Sequence, residues 1–224
     1  MIPAAAGQRG VTIPAGQVRL PGILAWPNQP TGIVLFVHGS GSGRLSPRNA
    51  SVAGQLRAAG LGTLLFDLLT ERESFDRHNV FDIDLLTKRL LTATEWLSRQ
   101  PEAAGLQLGY FGASTGAAAA LKAAAALPSE IAAVVSRGGR PDLTGEALSR
   151  VRAPTLLLVG SRDLTVVHLN QIALSRLACF ARLVVIPNAG HLFEEPGTLE
   201  QVGNLAAKWF VHHLVRPAAS ASPL

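Results

Sequence analysis

Apolar residues in this chain gather in short unbroken runs, separated by stretches where they recur every three or four positions. Gly32–Val37 reads GIVLFV, and similar runs follow at Gly62–Phe66, Leu106–Phe111, Ile131–Val135, Thr155–Val159 and Leu183–Ile186. A continuous run of this length is what a strand covered on both faces requires. The intervening segments Ala50–Ala59, Ile83–Leu97, Ala117–Leu127, Leu169–Leu177 and Leu199–Leu214 carry helical spacing. Strands and helices that alternate in this way predict an α/β fold, with a mostly parallel central sheet and helices on both faces. At the start, Val11–Ile13 and Gln17–Ala25 flank Pro14-Ala15-Gly16, which predicts an antiparallel hairpin at the sheet edge.

No linker or 20–50-residue repeat divides the sequence, so 1–224 is expected to form one domain, with an ordered core over about 10–215 and a frayed tail at Pro217–Leu224. The Ala-rich stretch Ala117–Ala126 is read as a helix packed closely against the sheet rather than as low complexity. With 48% hydrophobic residues and 22 glycines in 224, the chain is too apolar to remain disordered.

Charge and cysteine content narrow the chemistry. The net charge of +5 comes from 17 Arg and 3 Lys against 15 acids, but the arginines are scattered, so a nucleic-acid partner is not expected. Aromatics at 5% provide no stacking platform for single strands. A single cysteine, Cys179, precludes an intrachain disulfide and argues against a Cys-based metal site. No apolar stretch approaches the roughly 18–20 residues of a membrane span. Met1–Arg9 has no basic segment leading into an apolar run, so it does not read as a secretory signal, and the cytoplasm is the expected location.

In open parallel sheets, ligands bind beyond the carboxyl ends of the strands, and the chemistry-bearing residues are found there. Leu106–Phe111 leads into Gly112-Ala113-Ser114-Thr115-Gly116 and then the Ala-rich helix. This G-x-S-x-G has the strand–turn–helix setting of a nucleophile elbow, in which small neighbours allow a tight turn to lift the serine Oγ clear of the sheet. A serine needs a base, and His191 in Asn188-Ala189-Gly190-His191 follows the run ending at Ile186. A base needs a carboxylate to orient it, and Asp163 in Gly160-Ser161-Arg162-Asp163 follows Thr155–Val159. Asp142, Glu194 and Glu195 are rival acids, and a helix cap or an ion pair with Arg162 is the plain structural role for Asp163. The oxyanion donors are assigned to the backbone N–H groups of Thr115 and Ser40, with Gly41 a near rival in the loop His38-Gly39-Ser40-Gly41-Ser42-Gly43. His38 is expected to brace that loop.

The same loop invites a dinucleotide reading, with Asp67 as the ribose acid. Its glycines do not follow G-x-G-x-x-G, no Lys-Ser/Thr follows for a Walker A loop, and Tyr110 has no lysine four residues on, so an oxidoreductase is set aside. Arg44 and Arg137 lie close enough to strand ends to bind a substrate carboxylate bidentately, with pairing to Asp142 or nearby acids as the structural alternative.

Together HGSGSG, GASTG, GSRD and NAGH resemble the α/β-hydrolase superfamily, and within it the small, capless dienelactone hydrolase family. His38–Asn49 also resembles a branch sometimes fused to a phosphoribosyltransferase domain, for which these 224 residues contain no counterpart. The resemblance spans roughly residues 10–215. It implies an α/β-hydrolase fold without a cap domain, a Ser114–Asp163–His191 triad, an acyl-enzyme mechanism, and neither cofactor nor metal. Dienelactone hydrolases use cysteine where this chain has Ser114, which shifts the expected substrate from a dienelactone towards a general ester. The short connection over 136–153, where lids are usually inserted, predicts an open site. The expected partner is a small-molecule ester, with no membrane or nucleic acid, and the oligomeric state is left open. The same triad permits thioester or amide cleavage, and a catalytically silent binding module on this fold is the non-enzymatic alternative.

Overall fold

The computed structural model describes residues 6–214, so the frayed tail expected at Pro217–Leu224 lies outside the described residues. Eight strands form one sheet in the order β1-β2-β4-β3-β5-β6-β7-β8. They are β1 Gly7–Ala15, β2 Val18–Trp26, β3 Gly32–Val37, β4 Gly62–Phe66, β5 Gln107–Ala113, β6 Ile131–Arg137, β7 Thr155–Gly160 and β8 Ala181–Ile186. β1–β2 and β2–β4 pair antiparallel, and every pair from β4 to β8 is parallel. The expected edge hairpin is present, but its turn is Gly16-Gln17 rather than Pro14–Gly16. Pro14 stays in β1 opposite Arg19, and Gly16 takes the positive φ of 67° at the turn.

Seven helices connect the strands: α1 Pro47–Ala58, α2 Glu71–Ser74, α3 Arg77–Phe81, α4 Ile83–Ser98, α5 Thr115–Ala126, α6 Leu164–Arg176 and α7 Thr198–Leu214. α4 and α5 pack together over one face of the sheet, and α1 and α7 over the other. Each face buries its own apolar layer, one around Leu35, Tyr110 and Leu121 and the other around Phe36, Phe111 and Phe210. Between β6 and β7 the chain makes only a short 3₁₀ segment, Pro141–Arg150, so no cap domain is inserted there.

β3 and β5 are neighbours, yet the helix after β3 goes to one face and the helix after β5 to the other. A parallel sheet opens at such a reversal of strand order, and ligands bind in the resulting crevice. The two loops at this opening touch. A Cβ on Gly116 would overlap the carbonyl oxygens of Val37 and His38, and one on Gly112 would overlap the Ala117 backbone.

His38 holds the loop after β3 in place, as expected from the sequence. Its buried ring donates from Nδ1 to the Gly39 carbonyl at 3.0 Å and accepts at Nε2 from the Leu68 amide at 2.9 Å. A carbonyl can only accept and an amide N–H can only donate, so the two contacts select one neutral tautomer. Protonation would place two N–H groups face to face. Burial lowers the His38 pKa, and the Gly39 contact and the Asp67 charge only partly oppose that shift.

Two predictions follow from this packing. Between the ordinary histidine value of 6.5 and the lowered folded value, the unfolded chain binds a proton that the native chain refuses, so stability falls as pH drops below about 6.5. The half-buried His213, lowered by burial and by His212, adds in the same direction, whereas the lowered carboxyls of Glu73 and Glu102 contribute only below about 4.5. Urea unfolding at pH 7.5, 6.5 and 5.5 should show a slope of up to about 1.4 kcal/mol per pH unit for each such proton. The slope should be reduced in His38→Asn, and equal slopes in the two proteins would refute the assignment. Gly116→Ala pushes a methyl against two main-chain oxygens that cannot rotate away, and should cost about 1–3 kcal/mol. For a chain of this size that lowers Tm by about 2–12 °C, read by calorimetry.

Candidate active site

Four strand ends supply the side chains expected from the sequence. Ser114 sits between β5 and α5 with φ 51° and ψ −122°, a conformation that residues with a Cβ rarely adopt. It is locked from both sides. Its amide donates to the Arg137 carbonyl at 3.2 Å, and its carbonyl accepts from Ala117 at 3.1 Å and from Arg140 at 3.1 Å. The Ser114 hydroxyl makes no hydrogen bond among the described residues, His191 included. Hydrogen bonds between a nucleophile and its base are often long in the absence of substrate.

The β7–α6 turn and the loop after β8 are stitched together. Ser161 N donates to the Ile186 carbonyl and Arg162 N to the Ala189 carbonyl, each at 2.9 Å, and a Cβ on Gly160 would overlap the carbonyls of Ala189 and Gly190. This contact brings His191 Nδ1 to 2.6 Å from Asp163 Oδ2. A carboxylate only accepts, so Nδ1 carries a proton, and it is Nε2 that bears the lone pair in the neutral form of the ring. Asp163 occupies the N-cap position of α6 but makes no cap hydrogen bond, and Arg162 pairs instead with Glu195 at 3.6 Å. Gly138, at φ 51°, lies directly beneath the histidine: a Cβ there would sit 3.5 Å from the ring. Gly138 is the residue after Arg137, whose carbonyl holds Ser114, so serine and imidazole share one short stretch of the sheet rim.

The rival acids have other partners. Glu195 accepts the Gly190 amide at 3.0 Å, which holds the loop just before His191 and lowers the Glu195 pKa. Glu194 pairs with Arg48 at 3.2 Å, and Asp142 pairs with Arg140 at 2.7 Å rather than with Arg137.

The loop after β3 crosses above the serine. A Cβ on Gly39 would stand 2.9 Å from Ser114 Cβ. Ser42 N donates to the Gly39 carbonyl at 3.3 Å and Gly41 takes φ 67°, so the loop turns tightly here. Among the described residues no acceptor occupies the amide of Ser40 or that of Thr115, the first residue of α5. Free N–H groups at a helix start carry partial positive charge.

The two arginines differ. The Arg44 amide donates to Asp67 Oδ1 at 2.6 Å, and its guanidinium is ion-paired to Asp67 Oδ2. Asp67 is thus a loop anchor, and the Arg44 charge is matched. Arg137, expected just beyond its strand, is the last residue of β6 and is only 8% exposed.

Sequence reasoning missed α2 and α3. Together with the loop after β3 they border a cavity of about 660 Å³, lined by Ser40, Arg44, Arg48, Asp67, Phe75 and Val80 among others.

No protein-family model matches the chain. A crystal structure of a dienelactone hydrolase from Anabaena variabilis superposes with a TM-score of 0.91 at 55% identity, covering 93% of this chain and 99% of that one. An esterase from Butyrivibrio proteoclasticus shares the fold with a TM-score of 0.78 at 14% identity, covering 91% and 98%. A longer Mycobacterium tuberculosis protein, provisionally named a phosphoribosyl transferase, is 57% identical over 210 residues. Those residues are 94% of this chain but 47% of that protein, so the chain spans about half the length of this relative. The extent of the Anabaena match, with the sheet order and the capless β6–β7 connection, establishes that the chain belongs to the dienelactone hydrolase-like family of α/β-hydrolases.

Proposed function

We propose that this chain is a serine hydrolase that cleaves carboxylic esters of small or flexible acyl groups through an acyl-enzyme intermediate. The observation that carries the reading is the 2.6 Å contact between His191 Nδ1 and Asp163 Oδ2, at the same rim as a serine held at positive φ. The contact leaves Nε2 as the basic nitrogen. In this reading Nε2 takes the Ser114 proton as Oγ attacks the ester carbonyl. The amides of Ser40 and Thr115 bind the oxyanion, and removing one such donor typically costs about 10²–10³ in turnover. The imidazolium, stabilised by Asp163, protonates the departing alcohol. Water then enters, gives a proton to Nε2 and attacks the acyl carbonyl, and Ser114 leaves with the proton returned to it.

The short β6–β7 connection supports direct access without a lid, and the cavity beside the Gly-rich loop has room for a small acyl or alcohol group. The proposed partner is a small-molecule ester, and no step requires a cofactor or a metal. The transferase name belongs to a protein about twice as long, while the serine, imidazole and carboxylate arrangement of this chain supports hydrolysis.

A panel of p-nitrophenyl esters and a fluorophosphonate probe test the reading. Wild type should turn over short neutral esters and be labelled once. Ser114→Ala should lose the label and at least about 10⁴-fold in kcat, and Asp163→Asn should lose a comparable factor through the wrong tautomer. Full labelling of Ser114→Ala, or kcat within tenfold of wild type, would overturn the assignment.

A further inference from the structure

Among the described residues the ring of His191 makes one hydrogen bond, from Nδ1 to Asp163. Two side chains on different loops keep such a contact only if both backbones stand still, and catalytic geometry tolerates only about 0.5 Å of error. What holds the His191 backbone therefore bears directly on the base. Residues 190–195 close on themselves. The Phe193 amide donates to the Gly190 carbonyl at 3.4 Å, and Phe193, buried at φ 56°, places its ring in the apolar layer that contains Phe210. A buried aromatic residue at positive φ persists only where its surroundings over-determine it. His191 projects from the exposed side of this turn.

Glu195 closes the far end of the turn. Its carboxylate accepts the Gly190 amide at 3.0 Å on Oε1 and 3.1 Å on Oε2, and Oε1 lies 3.6 Å from Arg162 Nη1. Gly190 precedes His191, and Arg162 precedes Asp163. One side chain thus ties the residue before the base to the residue before its carboxylate, beside the main-chain bond from Arg162 to Ala189. The Gly190 amide also keeps the Glu195 carboxyl below the usual carboxylate range, so it is ionised at neutral pH. Behind it, the Glu195 carbonyl accepts from the amide and the hydroxyl of Thr198 at 3.1 and 2.7 Å. Thr198 is buried at the start of α7, which packs against α1 and β6, so the brace is anchored in the body of the fold. Glu194, its neighbour in sequence, has no such place. Its side chain is 66% exposed and pairs with a partly exposed Arg48, an arrangement that contributes little.

We propose that Glu195 is a positioning residue for the base: its carboxylate, shared between the Gly190 amide and the Arg162 guanidinium, holds His191 in register with Asp163. It lines no part of the cavity beside the Gly-rich loop and acts through the two segments it joins. Glycine at 190 suits this role, because a Cβ there would stand 3.1 Å from Glu195 Oε1 and press on the contact. For turnover the role rests on the hydrolase reading. For the contact between His191 and Asp163 it does not.

Three variants test this. Glu195→Ala removes the acceptor, Glu195→Gln keeps an oxygen for the Gly190 amide but loses the charge, and Glu194→Gln is the control. The first readout needs no turnover. A free neutral histidine in water favours the Nε2–H tautomer, whereas the contact with Asp163 selects Nδ1–H. Long-range proton–nitrogen NMR correlations, recorded well above the ordinary histidine pKa and assigned by comparison with His191→Gln, report which form is present. Wild type, Ser114→Ala, Glu194→Gln and Glu195→Gln should show Nδ1–H at His191, and Glu195→Ala should shift towards Nε2–H. The second readout is ester turnover. In Glu195→Ala kcat should fall about 10–100-fold with KM within about threefold, the scale of a misplaced catalytic group. Glu195→Gln should stay within about fivefold of wild type, and Glu194→Gln should match it. Near-UV circular dichroism checks that each variant folds. If Glu195→Ala does not, Glu195→Asp, which withdraws the carboxylate by one methylene, replaces it with the same expected direction. Wild-type tautomer or wild-type kcat in the variant that lacks the acceptor would overturn the role of Glu195 and leave the hydrolase reading intact, as would equal losses in Glu195→Gln and Glu195→Ala. A Glu195-dependent tautomer in a protein that cleaves no ester would do the reverse.

Discussion

The turn at Ser114 is the constraint around which the rim is built. A residue with a side chain held in a sparsely populated backbone region costs of order 1–3 kcal/mol and persists only when its surroundings over-determine it. Here they do. The Ser114 amide is held by β6, its carbonyl accepts from two donors, and missing side chains at Gly39, Gly112 and Gly116 let three segments converge on it. The strain falls where β3 and β5 send their helices to opposite faces, the one place where the sheet leaves space above its edge. The same β6 carbonyl that fixes the serine belongs to Arg137, and the next residue, Gly138, lies under the imidazole. Strand β6 and the residue after it are therefore the common base of the proposed nucleophile and base.

Much of this was legible in the sequence, for reasons that also explain what was not. Strands covered on both faces lose polar alternation and show as apolar runs, so the central strands stood out. Their carboxyl ends were harder to place. Ser136 and Arg137 continue β6 although polar, because β5 and β7 offer backbone partners on both sides. α1 begins at Pro47 rather than at Ala50, because Ser46 caps the Asn49 amide and proline suits a first helical position. α2 and α3 span four and five residues, too few for a helical period to emerge. Their visible signals were caps: Thr70 with Glu73, and Asp76.

The candidate site was legible in chain order but not in its charge pairing. Ser114, Asp163 and His191 each follow an apolar run, so their positions at strand ends could be read directly. The pairing of Arg44 with Asp67 depends on β4 lying beside β3, and that of Arg48 with Glu194 joins residues 146 apart. Neither follows from local pattern. Arg137 looked like any other arginine near a strand end, because its distinction is the absence of a partner in three dimensions.

That distinction separates local charge from the overall balance. The formal charge of +5 describes a molecule in which Arg137 is the arginine buried among the described residues. Salt at physiological strength screens solvent-exposed charges beyond about 8 Å, and exposed ion pairs add little to stability. A guanidinium 8% exposed is screened far less, and its field acts in a medium where a nearby anion interacts more strongly than it would in water. The acids around the rim have partners of their own: Asp67 with Arg44, Asp142 with Arg140, Asp163 with His191, Glu194 with Arg48 and Glu195 with the Gly190 amide. With those carboxylates engaged, no ion pair among the described residues offsets the burial of Arg137.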